Sequence, residues 1–225
     1  MAKQVITQEE RAITIISLLQ TATKGMIEPA AATIVSLYGK DPFLILVSCI
    51  LSLRTRDPVS LAASQRLFEH AKTPQELLSL PIHTIEKLIY PTGFYRQKTK
   101  QLQAISSMLL EKFSGTVPRT REELLTLPGV GPKTANLVLS EGFNIPAICV
   151  DTHVHRISNR LGIINTKTPE ETEEALKRLL PEKYWSEYNR LMVMWGQNVC
   201  VPISPFCSKC VLLPLCQQKG VIKKR

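Results

Sequence analysis

Apolar residues recur along the chain at helical spacing, in short amphipathic runs broken by Pro, Gly, Ser and Thr. No run alternates apolar and polar positions for long enough to make a strand, and no Asn-Gly or Asp-Gly hairpin turn occurs. Start signals are frequent. Thr7 with Glu10, Thr73 with Glu76, Thr120 with Glu123 and Thr168 with Glu171 have capping-box spacing. Asp41-Pro42, Asp57-Pro58, Thr73-Pro74 and Thr168-Pro169 put a capping side chain ahead of a Pro at the first helical position. The pattern predicts an all-α chain of about ten helices. Its longest apolar stretch, Phe43 to Leu53, falls well short of the roughly 20 residues of a membrane helix and predicts a buried helix instead. Glu9 and Glu10 interrupt any N-terminal apolar region, which predicts a protein that stays inside the cell.

One internal echo bears on chemistry. Thr73-Pro-Gln-Glu-Leu-Leu-Ser-Leu-Pro81 matches Thr120-Arg-Glu-Glu-Leu-Leu-Thr-Leu-Pro128, so both predict helix, tight turn, helix. After the shared Pro the copies diverge. The first continues Ile82-His83-Thr84-Ile85-Glu86 and the second Gly129-Val130-Gly131-Pro132-Lys133, so only the second has Gly to permit positive φ and close backbone approach. A two-Gly turn opening a helix presents unpaired N–H groups, a ready phosphate site, although the Gly also serve a plain interhelical bend. Lys133 falls in the first turn of that helix, where a cation opposes the macrodipole at a cost of roughly 0.3–1 kcal/mol. Its echo partner is Glu86, the residue stability prefers. Such a lysine suits either a phosphate clamp or an amine nucleophile. Asp151, in Val150-Asp-Thr-His-Val-His-Arg156, reads as a helix N-cap worth about 1 kcal/mol. His153 and His155 are two apart, cannot chelate together on a helix, and read as structural or phosphate-facing.

Charge and cysteine narrow the field. Lys and Arg number 28 against 19 Asp and Glu, a net +9 that favours polyanions, nucleic acid first, although an ordinary basic protein has the same balance. The 225 residues allow one large domain or two small ones. Of six Cys, Cys200, Cys207, Cys210 and Cys216 crowd near the C-terminus in a C-x6-C-x2-C-x5-C loop with Pro202, Pro205 and Pro214. Four thiolates so close suit a structural zinc or a 4Fe-4S cluster, and a lone CxxC tilts the choice toward iron and sulfur. Cys49 and Cys149 sit in apolar runs and read as inert core residues.

Together these residues resemble the endonuclease III family of DNA glycosylases, in the helix-hairpin-helix superfamily. The resemblance runs from about Asp41 to Cys216 and is carried by Leu127-Pro-Gly-Val-Gly-Pro-Lys-Thr-Ala-Asn136, Val150-Asp-Thr-His-Val154 and the cysteine loop. It implies Lys133 as Schiff-base nucleophile, Asp151 as catalytic carboxylate whether or not it also caps, and a 4Fe-4S cluster on the four loop cysteines. Gly129, Val130 and Gly131 would then bind DNA. The implied architecture is two all-α domains with a DNA groove and base pocket between them. Residues 35–145 would form a six-helix domain carrying the hairpin, and 1–34 with 146–225 a second domain with the cluster loop at 200–216. Arg54 and Phe94 match two loop side chains that fill the gap left by a flipped nucleotide, where many bacterial members carry Gln and Leu. The guanidinium suits the O6 and N7 of guanine, which predicts a preference for lesions opposite G.

The activity implied is that of a bifunctional glycosylase and AP lyase, removing oxidised pyrimidines and cutting 3′ to the abasic site by β-elimination. Its partner would be double-stranded DNA with a damaged base or abasic site, and the protein an intracellular monomer, in the cytoplasm or nucleoid if prokaryotic, with no membrane role. Two alternatives stand beside it: a monofunctional mismatch glycosylase, against which Lys133 argues, and a non-catalytic Fe-S DNA-binding protein.

Overall fold

The computed structural model describes residues 6–225. The part of the leader expectation that rests on the first five residues lies outside them. Among the described residues the chain forms twelve α-helices and no strand. In order they are α1 (Gln8–Ala22), α2 (Ala30–Tyr38), α3 (Pro42–Ser52), α4 (Asp57–Phe68), α5 (Pro74–Ser79), α6 (Ile82–Ile89), α7 (Tyr95–Phe113), α8 (Arg121–Leu124), α9 (Pro132–Leu137), α10 (Thr152–Leu161), α11 (Pro169–Leu179) and α12 (Trp185–Asn198). The excess over the expected ten comes from pieces such as α8, one turn long and too short to show a period. No helix among the described residues is long and apolar enough to cross a membrane.

The chain divides into two compact units, residues 29–145 and residues 1–28 with 146–225. The boundary expected at residue 35 would cut through α2, which belongs whole to the first of these. That unit holds α2 to α9, more than the six helices expected.

Residues 29–145 are built around α3. Asp41 starts this helix by accepting from the N–H groups of Phe43 (2.8 Å) and Leu44 (3.0 Å), with Pro42 at the first position. Every residue from Phe43 to Leu51 is buried, as the unbroken apolar run predicts, and α2, α4, α7 and α9 pack around it. Each large aliphatic side chain so buried contributes about 1.5–3 kcal/mol. After α9 the helix widens into a π turn, Val138–Gly142, which also lies on α3.

In the other unit α1, α10, α11 and α12 enclose a core that includes Ile15, Leu19, Val154, Leu161, Tyr188 and Trp195. The buried Tyr188 hydroxyl pairs with Ser158 Oγ at 2.8 Å, so this phenol is satisfied.

Complete capping boxes form at Thr7 and Thr73. At Thr120 and Thr168 only the threonine's half forms; the Glu123 carboxylate accepts from the Thr120 hydroxyl and Glu171 from the Lys167 N–H. Asp57 is not the cap expected of it: α4 starts one residue earlier, with Arg56 as N-cap and Asp57 as its first residue.

Candidate nucleic-acid interface and cysteine loop

The two echo copies fold differently. Between α5 and α6 only Leu80 and Pro81 intervene, whereas residues 125–131 separate α8 from α9. Gly129 turns the longer connection with φ 69°, and a Cβ there would strike the Gln101 side chain, whose Nε2 donates to Pro128 O at 2.9 Å. Gly131 behaves otherwise: its φ of −101° suits any residue, and a Cβ there would meet nothing. Neither conformation nor internal packing therefore requires glycine at 131. Among the described residues the N–H groups of Gly129 and Gly131 find no acceptor. Val130 serves the turn instead, its side chain 6% exposed and its N–H donated to Leu127 O at 3.1 Å. Lys133 stands exposed at the second position of α9. Its charge reaches the buried Cys49 thiol, whose pKa burial pushes up to about 12 and the lysine partly lowers; that thiol is inert, as expected.

Arg54 and Phe94 come together within residues 29–145. Both adopt left-handed backbone (φ 51° and 58°), and the Arg54 guanidinium lies 5.7 Å from the Phe94 ring centroid. Phe94 is 60% exposed, unusual for a large apolar side chain. The pair lines an open hollow with Leu53, Gln97, Lys98 and Gln101. Lys98 went unnoticed in the sequence, where it reads as one of several bases in Tyr95–Lys100. It is 3% exposed, and burial lowers its pKa to about 8.

Asp151 is the N-cap of α10: its Oδ1 accepts from the N–H groups of His153 (2.8 Å) and Val154 (2.9 Å). Among the described residues its Oδ2 accepts no hydrogen bond. Of the histidines that follow, His155 Nδ1 meets Thr172 Oγ1 at 2.7 Å and His153 Nδ1 meets the Arg156 guanidinium at 3.1 Å.

Cys200, Cys207, Cys210 and Cys216 line one hollow, walled by Trp195 and Leu212 among others. All four are free thiols, partly buried, and burial raises Cys210 and Cys216 above the ordinary thiol range. Among the described residues no three His, Cys, Asp or Glu side chains are gathered to hold a single metal ion. Two arginines of α10 tie the loop down. Arg160 reaches Cys200 Sγ at 3.5 Å and Val201 O at 2.8 Å, and Arg156 donates to Cys200 O at 2.9 Å. The Gln218 N–H donates to Cys216 Sγ at 3.3 Å. The C-terminal end folds back on the loop, with the Arg225 guanidinium 3.8 Å from the Phe206 ring centroid and its Nε donating to Ser204 O at 3.0 Å.

Comparison with known proteins gives these parts a family. Residues 47–182 match the profile of the HhH-GPD superfamily base excision DNA repair proteins. Endonuclease III of Thermotoga maritima is 50% identical over 210 residues, covering 89% of this chain and 99% of that one. Endonuclease III of Bacillus subtilis is 40% identical over 195 residues, with 84% and 89% covered. Among solved structures, a non-covalent endonuclease III–DNA complex superposes with a TM-score of 0.83 at 34% identity, covering 93% of this chain and 95% of that one. A trapped covalent endonuclease III–DNA intermediate gives 0.82 at 34% identity, covering 93% and 96%. The chain belongs to the HhH-GPD superfamily of base excision DNA repair proteins and, within it, to the endonuclease III family.

Proposed function

We propose that the protein is a bifunctional DNA glycosylase and AP lyase of base excision repair, acting on oxidised pyrimidines in duplex DNA. The observation that carries this reading is an exposed Lys133 just after a glycine turn with two unused N–H groups, in a chain half identical to an endonuclease III. Those neutral amides suit a backbone phosphate, so the phosphate does not need the lysine as its counter-ion.

Lys133 attacks C1′ of the extruded nucleotide, the glycosidic bond breaks, and the base leaves with the bonding pair and takes a proton. The amine gives up its protons as the sugar ring opens to the imine. Loss of the C2′ proton then expels the 3′ oxygen with its pair, cutting the strand. Asp151 supplies a carboxylate against the positive charge that develops on the sugar. Its division of labour supports the assignment, since Oδ1 alone satisfies the helix and Oδ2 stays available. Lys98, a second lysine and one whose pKa burial lowers, is a poor rival because its three hydrogens already donate to Leu51 O, Leu53 O and Thr55 Oγ1.

Cys200, Cys207, Cys210 and Cys216 fit a 4Fe-4S cluster. Thiols set around a hollow suit a polynuclear group better than one zinc, whose sulfurs all lie about 2.3 Å from a single point. When bound, the cluster would supply a covalent cross-link for the loop, and no step of base release passes through it.

Borohydride trapping on a duplex carrying an oxidised pyrimidine tests the reading. Wild type should form a covalent complex. Lys133→Gln should lose it while still binding the lesion, and wild-type trapping by that variant would pass the role to another amine. Asp151→Asn separates cap from catalyst. Asn caps about as well, so stability should hold, whereas loss of the charge should slow single-turnover base release about 10² or more. Undiminished release would leave Asp151 a cap alone.

A further inference from the structure

The wedge pair is held by a device that the reaction itself does not use. Lys98 Nζ donates to Leu51 O (2.7 Å), Leu53 O (2.7 Å) and Thr55 Oγ1 (2.9 Å), acceptors that bracket Arg54 on both sides. Its backbone N–H donates to Phe94 O at 3.0 Å. Thr55 Oγ1 closes the circuit by accepting the Gly93 N–H at 3.0 Å, next to Phe94. The loops meet backbone to backbone there, since a Cβ on Gly93 would lie 2.6 Å from Arg54 O. A buried ammonium with no carboxylate among these partners is a poor way to add stability. It does supply three fixed donors from one point, which suits two adjoining loops whose tips both hold left-handed backbone.

We propose that Lys98 and Thr55 are positioning residues that lock Arg54 and Phe94 into one wedge, and that this brace governs excision of a damaged base still paired in duplex DNA. The inference rests on the glycosylase reading above. A paired lesion must be unstacked and its gap filled, so it demands a wedge of fixed shape. An abasic nucleotide leaves the helix at little cost and demands much less.

The test compares two substrates in the full-length protein: single-turnover excision of a paired oxidised pyrimidine, and borohydride trapping on the same duplex with a preformed abasic site. Lys98→Met should slow excision by about tenfold or more and reduce abasic trapping by less than about threefold. Thr55→Val leaves the lysine its two carbonyl acceptors, Leu51 O and Leu53 O, and removes the hydroxyl that joins Lys98 Nζ to the Gly93 N–H, so it carries the test if Lys98→Met folds poorly. It should act in the same direction, and Thr55→Ser should restore excision. Added to Arg54→Ala with Phe94→Ala, Lys98→Met should cost nothing more, because the parts it positions are gone. Equal losses on both substrates, unchanged excision, or additivity in that combined variant would overturn the brace. A wild type that neither excises nor traps would instead overturn the glycosylase reading, and the brace with it.

Discussion

A single side chain in this protein does what its neighbours require before it does what its own chemistry suggests. Lys98 is basic, yet its surroundings turn it into a three-way hydrogen-bond donor whose pKa burial lowers to about 8. The other charged group lining its hollow is the cationic Arg54. In the unfolded chain a lysine holds its proton to about pH 10.4. Between about 8 and that value the unfolded state binds the extra proton, so this group makes unfolding harder as pH rises. Below about 8 both states hold it and the protein bears the full cost of the buried charge. Wild type should thus gain thermal stability relative to Lys98→Met between about pH 7.5 and 9.5. The brace should weaken over the same interval, since a neutral amine has two hydrogens for three acceptors, so excision of paired lesions should fall as the melting difference grows. A melting difference independent of pH would show that Lys98 keeps its proton in the folded state.

Elements, more than residues, divide what the sequence reveals from what it hides. The hairpin is the clearest case. Its two glycines look equivalent in Leu127-Pro-Gly-Val-Gly-Pro-Lys133, but only Gly129 has positive φ and a crowded Cβ direction. Gly129→Ala should cost about 1–3 kcal/mol in a urea melt through backbone strain. Gly131→Ala should leave stability unchanged or raise it by about 0.4–1 kcal/mol, and weaken DNA binding, as an anisotropy titration would register. Equal destabilisation at both positions would mean that 131 serves the fold alone. Helix starts such as Asp41-Pro42 and Thr73 with Glu76 were legible because a cap is a local bargain between neighbours in sequence. The buried helix α3 was legible from its unbroken apolar run. Asp57 misled because the carbonyl of Arg56 already accepts from Val59 and Ser60, which moves the start back by one residue. The Lys98 brace and the arginine ties of Arg156 and Arg160 were not legible. Each joins residues roughly 40 apart through tertiary contact, and no spacing rule encodes that.

At the scale of the whole molecule, a net charge of +9 favours DNA over acidic proteins, but it is spread along the sequence and names no lesion. The cysteine loop has a more definite global consequence. Cys200, Cys210 and Cys216 pack on the core formed by α1, α10, α11 and α12, and Leu212 lies inside that core, whereas Ile203 and Val211 stay exposed. Four thiols around a hollow, two raised in pKa by burial, form a poor end to a domain unless something draws off their protons and joins them. We therefore expect purified protein to be yellow-brown with about four irons per chain. Removing the iron should speed amide hydrogen exchange along α10 and α12, whose Ile157, Leu161 and Trp195 wall the hollow, and should free the tail from Ser204 and Phe206. Exchange in α3 should change least, because its buried face is satisfied within residues 29–145. A colourless, active protein carrying one zinc would defeat the cluster assignment. Unaltered exchange in α10 and α12 after iron loss would show that the loop is carried by its arginine ties alone.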